Sequence, residues 1–174
     1  MLVLFDLDQT LVNSRPVAPF RESRRWSEAY RLIHLVKPYD GIPELLQEIR
    51  LAGHASAIVT SAPRSYCQRV LAQQGWQDLI ATSVCYHCTR LHKPQPQPVQ
   101  EALSRLKVLP DAAIMVGDED IDVLAARAAG TMSVGALWGA LDPAELAAAR
   151  PDFLVDTVQD LRRLFQTILK EHSS

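Results

Sequence analysis

Six short apolar runs recur along this chain, separated by segments of helical spacing: Leu2–Phe5, His54–Thr60, Leu79–Val84, Ala112–Gly117, Met132–Val134 and Phe153–Val155. Continuous apolar runs of this length read as strands buried on both faces. The intervening stripes have the three-to-four spacing of helices packed on one side: Leu45, Leu46 and Ile49; Val99, Leu103 and Leu106; Ile121, Leu124, Ala125 and Ala128; and Val158, Leu161, Leu164, Phe165, Ile168 and Leu169. Gly53 and Gly130 follow two of them, where a left-handed closing residue costs glycine nothing. Regular alternation of strand and helix predicts an α/β fold: a Rossmann-like, doubly wound parallel sheet with helices on both faces. The whole chain reads as one domain, since no repeat, low-complexity tract or linker divides its 174 residues.

One stretch breaks the alternation. Val12 to Asp40 separates the first strand from the helix that should follow it, and it carries Trp26, Tyr30, Leu32, Ile33 and Leu35. It predicts a small helical cap insertion at the mouth of any site on the sheet edge. Between Ser14 and Pro38, Arg15, Arg21, Arg24, Arg25, Arg31 and Lys37 face only Glu22 and Glu28, a local excess of four positive charges. That patch reads either as a surface steering an anionic ligand or as a solvated helix face.

In such a sheet, ligands bind beyond the carboxyl ends of the strands, near the point where strand order reverses. The reactive side chains of this sequence fall at those ends. Asp6 and Asp8 follow the first run, Thr60 and Ser61 end and follow the second, Lys93 comes a loop after the third, and Asp118 follows the fourth, with Asp122 one helical turn on. Strand-end aspartates often do no more than cap a turn. Four acids converging on one edge exceed what capping requires, and such a cluster suits a divalent cation that keeps the carboxylates ionised. A carboxylate beside that cation can attack phosphorus, and a second acid can protonate the leaving oxygen and later activate water.

In this order the motifs resemble those of the haloacid dehalogenase superfamily. Asp6-x-Asp8-x-Thr10 is similar to its first motif, Thr60 after Ala57-Ile58-Val59 to its second, and Lys93-Pro94-x-Pro96 to its lysine motif. Gly117-Asp118-x-x-x-Asp122, running on to Ala128-Ala129-Gly130, is similar to the fourth. The resemblance implies a magnesium-dependent phosphomonoester hydrolase acting through a phospho-aspartate. It makes Asp6 nucleophile and Mg2+ ligand, and Asp8 the acid–base with its backbone carbonyl on the metal. Thr60 and the backbone at Ser61 would hold the phosphoryl group, Lys93 would neutralise charge, and Asp118 and Asp122 would complete the metal site. Thr10 is expected to brace the turn and to belong to the substrate-binding set. Arg64 and Tyr66, at the start of the helix after Thr60, are expected near the leaving group.

An acid at position 8 suits ester hydrolysis and speaks against dehalogenation, because true dehalogenases of the superfamily lack it. Related phosphatases for small metabolites carry much larger caps, so an open site and a large substrate are implied. Asn13 stands where relatives commonly have aspartate. The alternatives are a protein or nucleic-acid-end phosphatase with an open site, and a retired binding protein of the same fold. A net charge of −2 argues against strong duplex binding. Cys85-Tyr86-His87-Cys88 followed by His92 reads as a loop rather than a zinc site, since all the candidates crowd into one segment. Three cysteines, no leader pattern and no apolar run long enough to span a bilayer predict a cytoplasmic protein with reduced thiols, as a monomer or homodimer. Its substrate is expected to be a phosphorylated molecule that the sequence does not name.

Overall fold

A computed structural model describes residues 1–171. Among them are eight strands and eight α-helices, beginning with β1 (Leu2–Phe5), β2 (Val12–Asn13), α1 (Ala18–Glu22), α2 (Trp26–Arg31), β3 (Lys37–Pro38) and α3 (Ile42–Leu51). β4 (Ala55–Val59), α4 (Arg64–Gln74), β5 (Ile80–Val84), α5 (Gln97–Leu106) and β6 (Ala113–Gly117) follow. The chain continues through α6 (Asp120–Ala129), β7 (Met132–Ala136), α7 (Pro143–Ala148), β8 (Phe153–Val155) and α8 (Val158–Glu171). Of the expected apolar stripe on α8, only Leu169 has a side chain outside the described residues.

Among the described residues, six strands form one sheet in the order β5-β4-β1-β6-β7-β8, and all its pairings are parallel. Strand order reverses between β1 and β6, so the topological switch point lies beyond Phe5 and Gly117. β1 shows why the sheet needs cover on both sides. Val3 and Phe5 enter one core with Ile42, Leu46, Leu161 and Phe165, whereas Leu2 and Leu4 enter another with Val99, Leu103, Ala125 and Ala126. All four β1 side chains are fully buried, which requires apolar partners on each face.

No hydrophobic stripe of the sequence announces α7. Its signal is local instead: the Asp142 carboxylate accepts from the Glu145 N–H at 2.9 Å, and Pro143 occupies the first turn. The expected helical insertion is present. β2 and β3 pair antiparallel at its base, and α1 and α2 stand between them, joined to the strands by single 3-10 turns at Arg15–Val17 and Ile33–Leu35. No helix among the described residues is long and apolar enough to cross a membrane.

Candidate active site

After β1 the chain turns back on itself. Val12 N–H and Leu11 N–H both donate to the Leu7 carbonyl, Gln9 N–H donates to the Val12 carbonyl at 2.7 Å, and Gln9 takes a positive φ of 64°. A non-glycine residue in that region is held there by its surroundings. Here the clamp comes from the loop after β7. Trp138 Nε1 donates to the Thr10 carbonyl at 3.0 Å, and Gly139 lies so close that a Cβ on it would sit 1.7 Å from the Gln9 carbonyl oxygen. Trp138 thus anchors the turn. A Gly139→Ala variant is expected to displace the Asp8–Thr10 turn and lower kcat/KM at least about tenfold, roughly 1.4 kcal/mol in the barrier. Steady-state kinetics beside a circular dichroism melt checks this, and wild-type kinetics would show that the turn does not depend on the contact.

The turn places Asp6 and Asp8 at one cavity of about 300 Å³, shared with Thr60, Ser61, Lys93 and Asp118. Lys93 Nζ is almost completely buried and donates to Asp6 Oδ1 at 2.7 Å, Asp122 Oδ1 at 2.5 Å and the Val59 carbonyl at 3.2 Å. The two carboxylates outweigh burial and raise its pKa far above the ordinary lysine value. Thr60 Oγ1 accepts from the Ala62 N–H at 3.1 Å, which leaves the hydroxyl proton for an anion.

Asp118 and Asp122 are buried, and burial first, then the neighbouring Asp6 charge, raises both carboxyl pKa values; Lys93 pulls that of Asp122 back. Asp122 does not line the cavity. It lies behind Lys93 and accepts from the Glu119 N–H through Oδ2 at 3.2 Å, packed so closely on Gly117 that a Cβ there would come within 2.3 Å of it. As the side chains stand, no three acids of the described residues close on one point, because Asp6 and Asp122 lean to Lys93.

Two expected substrate contacts are placed elsewhere. Thr10 is wholly buried and donates to Asp118 Oδ1 at 2.7 Å, so it orients an acid instead of facing the cavity. Arg64 points away from the acids, with Nη2 at 3.4 Å from Cys88 Sγ and its side chain on a separate groove beside Arg105. The first turn of α4 directs successive side chains to different sides, and it is Tyr66 that turns inward. Tyr66 is fully buried, and its hydroxyl donates to Asp8 Oδ1 at 2.9 Å.

The other oxygen of Asp8 meets Arg21 of α1, whose Nη2 lies 2.6 Å from Oδ2. Burial raises the Asp8 pKa and Arg21 lowers it in turn. The Arg-rich stretch therefore divides: Arg21 enters the site, while Arg25 forms a surface pair with Glu28 at 2.8 Å. Nothing in its spacing marks Arg21 out from the five other cations of the insertion. In the Cys85–Cys88 turn, Cys85 N–H donates to Cys88 Sγ at 3.3 Å.

The haloacid dehalogenase-like hydrolase family model matches residues 20–136, two thirds of the chain, including Thr60, Lys93, Asp118 and Asp122. The chain belongs to this haloacid dehalogenase-like hydrolase family. The matched span begins after Asp6 and Asp8, so membership rests on the later motifs. Among family relatives, a phosphoglycolate phosphatase from Xanthomonas campestris is 41% identical over 58% of this chain and 46% of its own length. A pyrophosphatase, PpaX, from Bacillus velezensis is 37% identical over 73% of this chain and 59% of its own. The chain thus spans about half the length of the curated relatives it matches. In fold it resembles a predicted phosphoglycolate phosphatase from Haemophilus somnus, with a TM-score of 0.84 at 22% identity over 95% of this chain and 97% of that one. A haloacid dehalogenase-like family hydrolase from Streptococcus pneumoniae gives 0.77 at 21% identity over 95% and 98%.

Proposed function

We propose that this family member hydrolyses phosphomonoesters, with Asp6 as nucleophile and Mg2+ as cofactor. The observation that carries the reading is the convergence of Asp6, Asp8, Lys93 and Asp118, from two strand ends and one loop, on a single cavity. The donor set fits the cation. Asp6 and Asp118 offer hard oxygens at the switch point, and burial first, then the neighbouring Asp6 charge, raises the Asp118 carboxyl pKa, a penalty on the ionised form that a bound dication offsets. Asp6, Asp118 and the Asp8 carbonyl would hold it, with Asp122 behind them reached through water. When bound, Mg2+ supplies charge neutralisation for the phosphate and its attacker.

The chain's own groups do the rest. Lys93 fixes Oδ1 of Asp6, which leaves Oδ2 to attack phosphorus. The Thr60 hydroxyl and the Ser61 backbone hold the phosphoryl oxygens as charge shifts among them. Asp8 gives its proton to the leaving oxygen, and the aspartyl phosphate forms on Asp6. Asp8 then takes a proton from water, which attacks that phosphate and restores the carboxylate.

Hydrolysis of p-nitrophenyl phosphate is expected to need magnesium and to stop in excess chelator. Mg2+ at about a hundred times its Kd adds about 2.7 kcal/mol of stability, roughly 5–10 °C in Tm for a chain of this size. The sign with pH follows from the raised carboxyl pKa values. Without the cation the folded chain holds protons that the unfolded chain releases, so this contribution to stability is present at acid pH and lost towards neutrality. The magnesium gain in Tm should therefore grow between pH 5 and 8 and shrink in Asp118→Asn, which should also need more Mg2+ for half-maximal activity. Full hydrolysis in chelator would remove the metal from the mechanism.

A further inference from the structure

A second recess of about 320 Å³ opens beside the acidic cavity and shares three of its walls, Arg21, Glu22 and Ser61. Its other walls include Arg24, Trp26, Tyr86 and His87. Behind this lining the Trp26 ring lies 5.9 Å from that of the fully buried Tyr66, Arg21 Cζ sits 5.0 Å over the same Tyr66 ring, and both Tyr66 and Arg21 contact Asp8. Tyr86, also in the lining, stacks on His92 at 4.0 Å and meets the edge of His87 at 5.0 Å. The recess therefore adjoins the cavity that holds Asp8 and shares with it Arg21, the cation paired with that acid.

Its size and walls suit a particular leaving group. A two-carbon acid would fill only a small part of 320 Å³ and would leave the aromatic walls without a partner. Planar rings stack on tryptophan, tyrosine and histidine faces, and arginine favours both ring faces and anionic edges. Glu22 adds an acceptor for hydroxyl or amino groups at the rim. Resting on the phosphomonoesterase reading above, we propose that the preferred substrate is a nucleoside 5′-monophosphate. Its base would occupy the recess between Trp26 and Tyr86, and its phosphate would face Asp6.

Ribose 5-phosphate presents the same ester without the base, which makes it the matched control. Stacking of one base on an aromatic side chain is worth roughly 5- to 150-fold. With magnesium, kcat/KM for adenosine 5′-monophosphate should exceed that for ribose 5-phosphate at least about tenfold. Tyr86→Ala, at a half-exposed position, should bring the ratio towards one, and Trp26→Phe should retain it where Trp26→Ala does not. Calorimetry with Asp6→Asn should show the same preference in Kd. A 5′-phosphorylated trinucleotide separates the two sources of this chemistry: cleavage comparable to that of the free nucleotide points to a strand end, and cleavage of the nucleotide alone to a metabolite. Hydrolysis of all esters with equal kcat/KM for the two matched substrates would overturn the substrate assignment and leave the phosphatase reading standing. No hydrolysis of any ester, p-nitrophenyl phosphate included, would overturn both.

Discussion

Asp6→Asn is expected to lower turnover by at least about 10⁴-fold on every phosphate ester, because an amide cannot form the acyl phosphate. The fold should survive the change. Asp6 is neutralised by Lys93 through Oδ1, and an asparagine oxygen can accept the same hydrogen bond at 2.7 Å. Lys93 would still face Asp122, so the buried ammonium keeps one anion. A melting curve within a few degrees of wild type, beside the lost rate, separates loss of a nucleophile from loss of structure. Residual turnover near the wild-type level would mean that another group attacks phosphorus.

Lys93→Met should produce the largest combined loss of stability and rate. Its Nζ neutralises two carboxylates at the switch point and is itself almost sealed from solvent. Removing one member of a buried ion pair typically costs about 3–5 kcal/mol, because the partner is left charged and unsolvated. For a chain of this length that corresponds to a fall of roughly 6–20 °C in Tm. The deficit has a pH signature. Without the ammonium, which now pulls the raised Asp122 pKa back, burial favours the protonated form of Asp122 still more in the folded chain, so stability is highest on the acid side and falls as pH rises towards 8. Turnover should drop by at least about 100-fold, the usual effect of deleting a charge-stabilising donor. A Tm unchanged from wild type between pH 5 and 8 would mean that the ammonium does not hold the two carboxylates in place.

Much of the fold is legible in the sequence because burial on both faces of a parallel sheet leaves a continuous apolar run, and the expected strands match the observed ones to within about two residues. The order β5-β4-β1-β6-β7-β8 is not written in any run; it follows from which partners the helices allow each strand. α7 escapes hydrophobic spacing because Leu146 is its only buried apolar anchor of size, and its capping aspartate is a local signal.

The site shows the same division. Asp6, Asp8, Thr60, Lys93 and Asp118 are legible as strand-end polar residues, and chain geometry alone brings such ends together. Arg21 and Tyr66 are not legible as partners of Asp8, since the insertion must first fold back across the sheet edge and α4 must choose its inward face. Gly139 is invisible for a different reason. Its importance lies in an approach to Gln9 from 130 positions away, which no local pattern encodes. The expectation that Arg64 meets substrate overlooks how sharply the first turn of a helix fans its side chains, and the structure turns it to Cys88.

The chemistry separates Asp8 from Asp6, and that separation gives the most direct test. Asp8→Asn keeps the nucleophile and loses the acid–base, and the amide can still accept from Tyr66. With p-nitrophenyl phosphate, whose leaving group needs no proton, Asp6 should be phosphorylated while hydrolysis stalls for want of an activated water. Rapid acid quench followed by peptide mass spectrometry should then find one phosphate per chain, on the peptide containing Asp6. Phosphate on Ser61, which also faces the cavity, would contradict the phospho-aspartate mechanism.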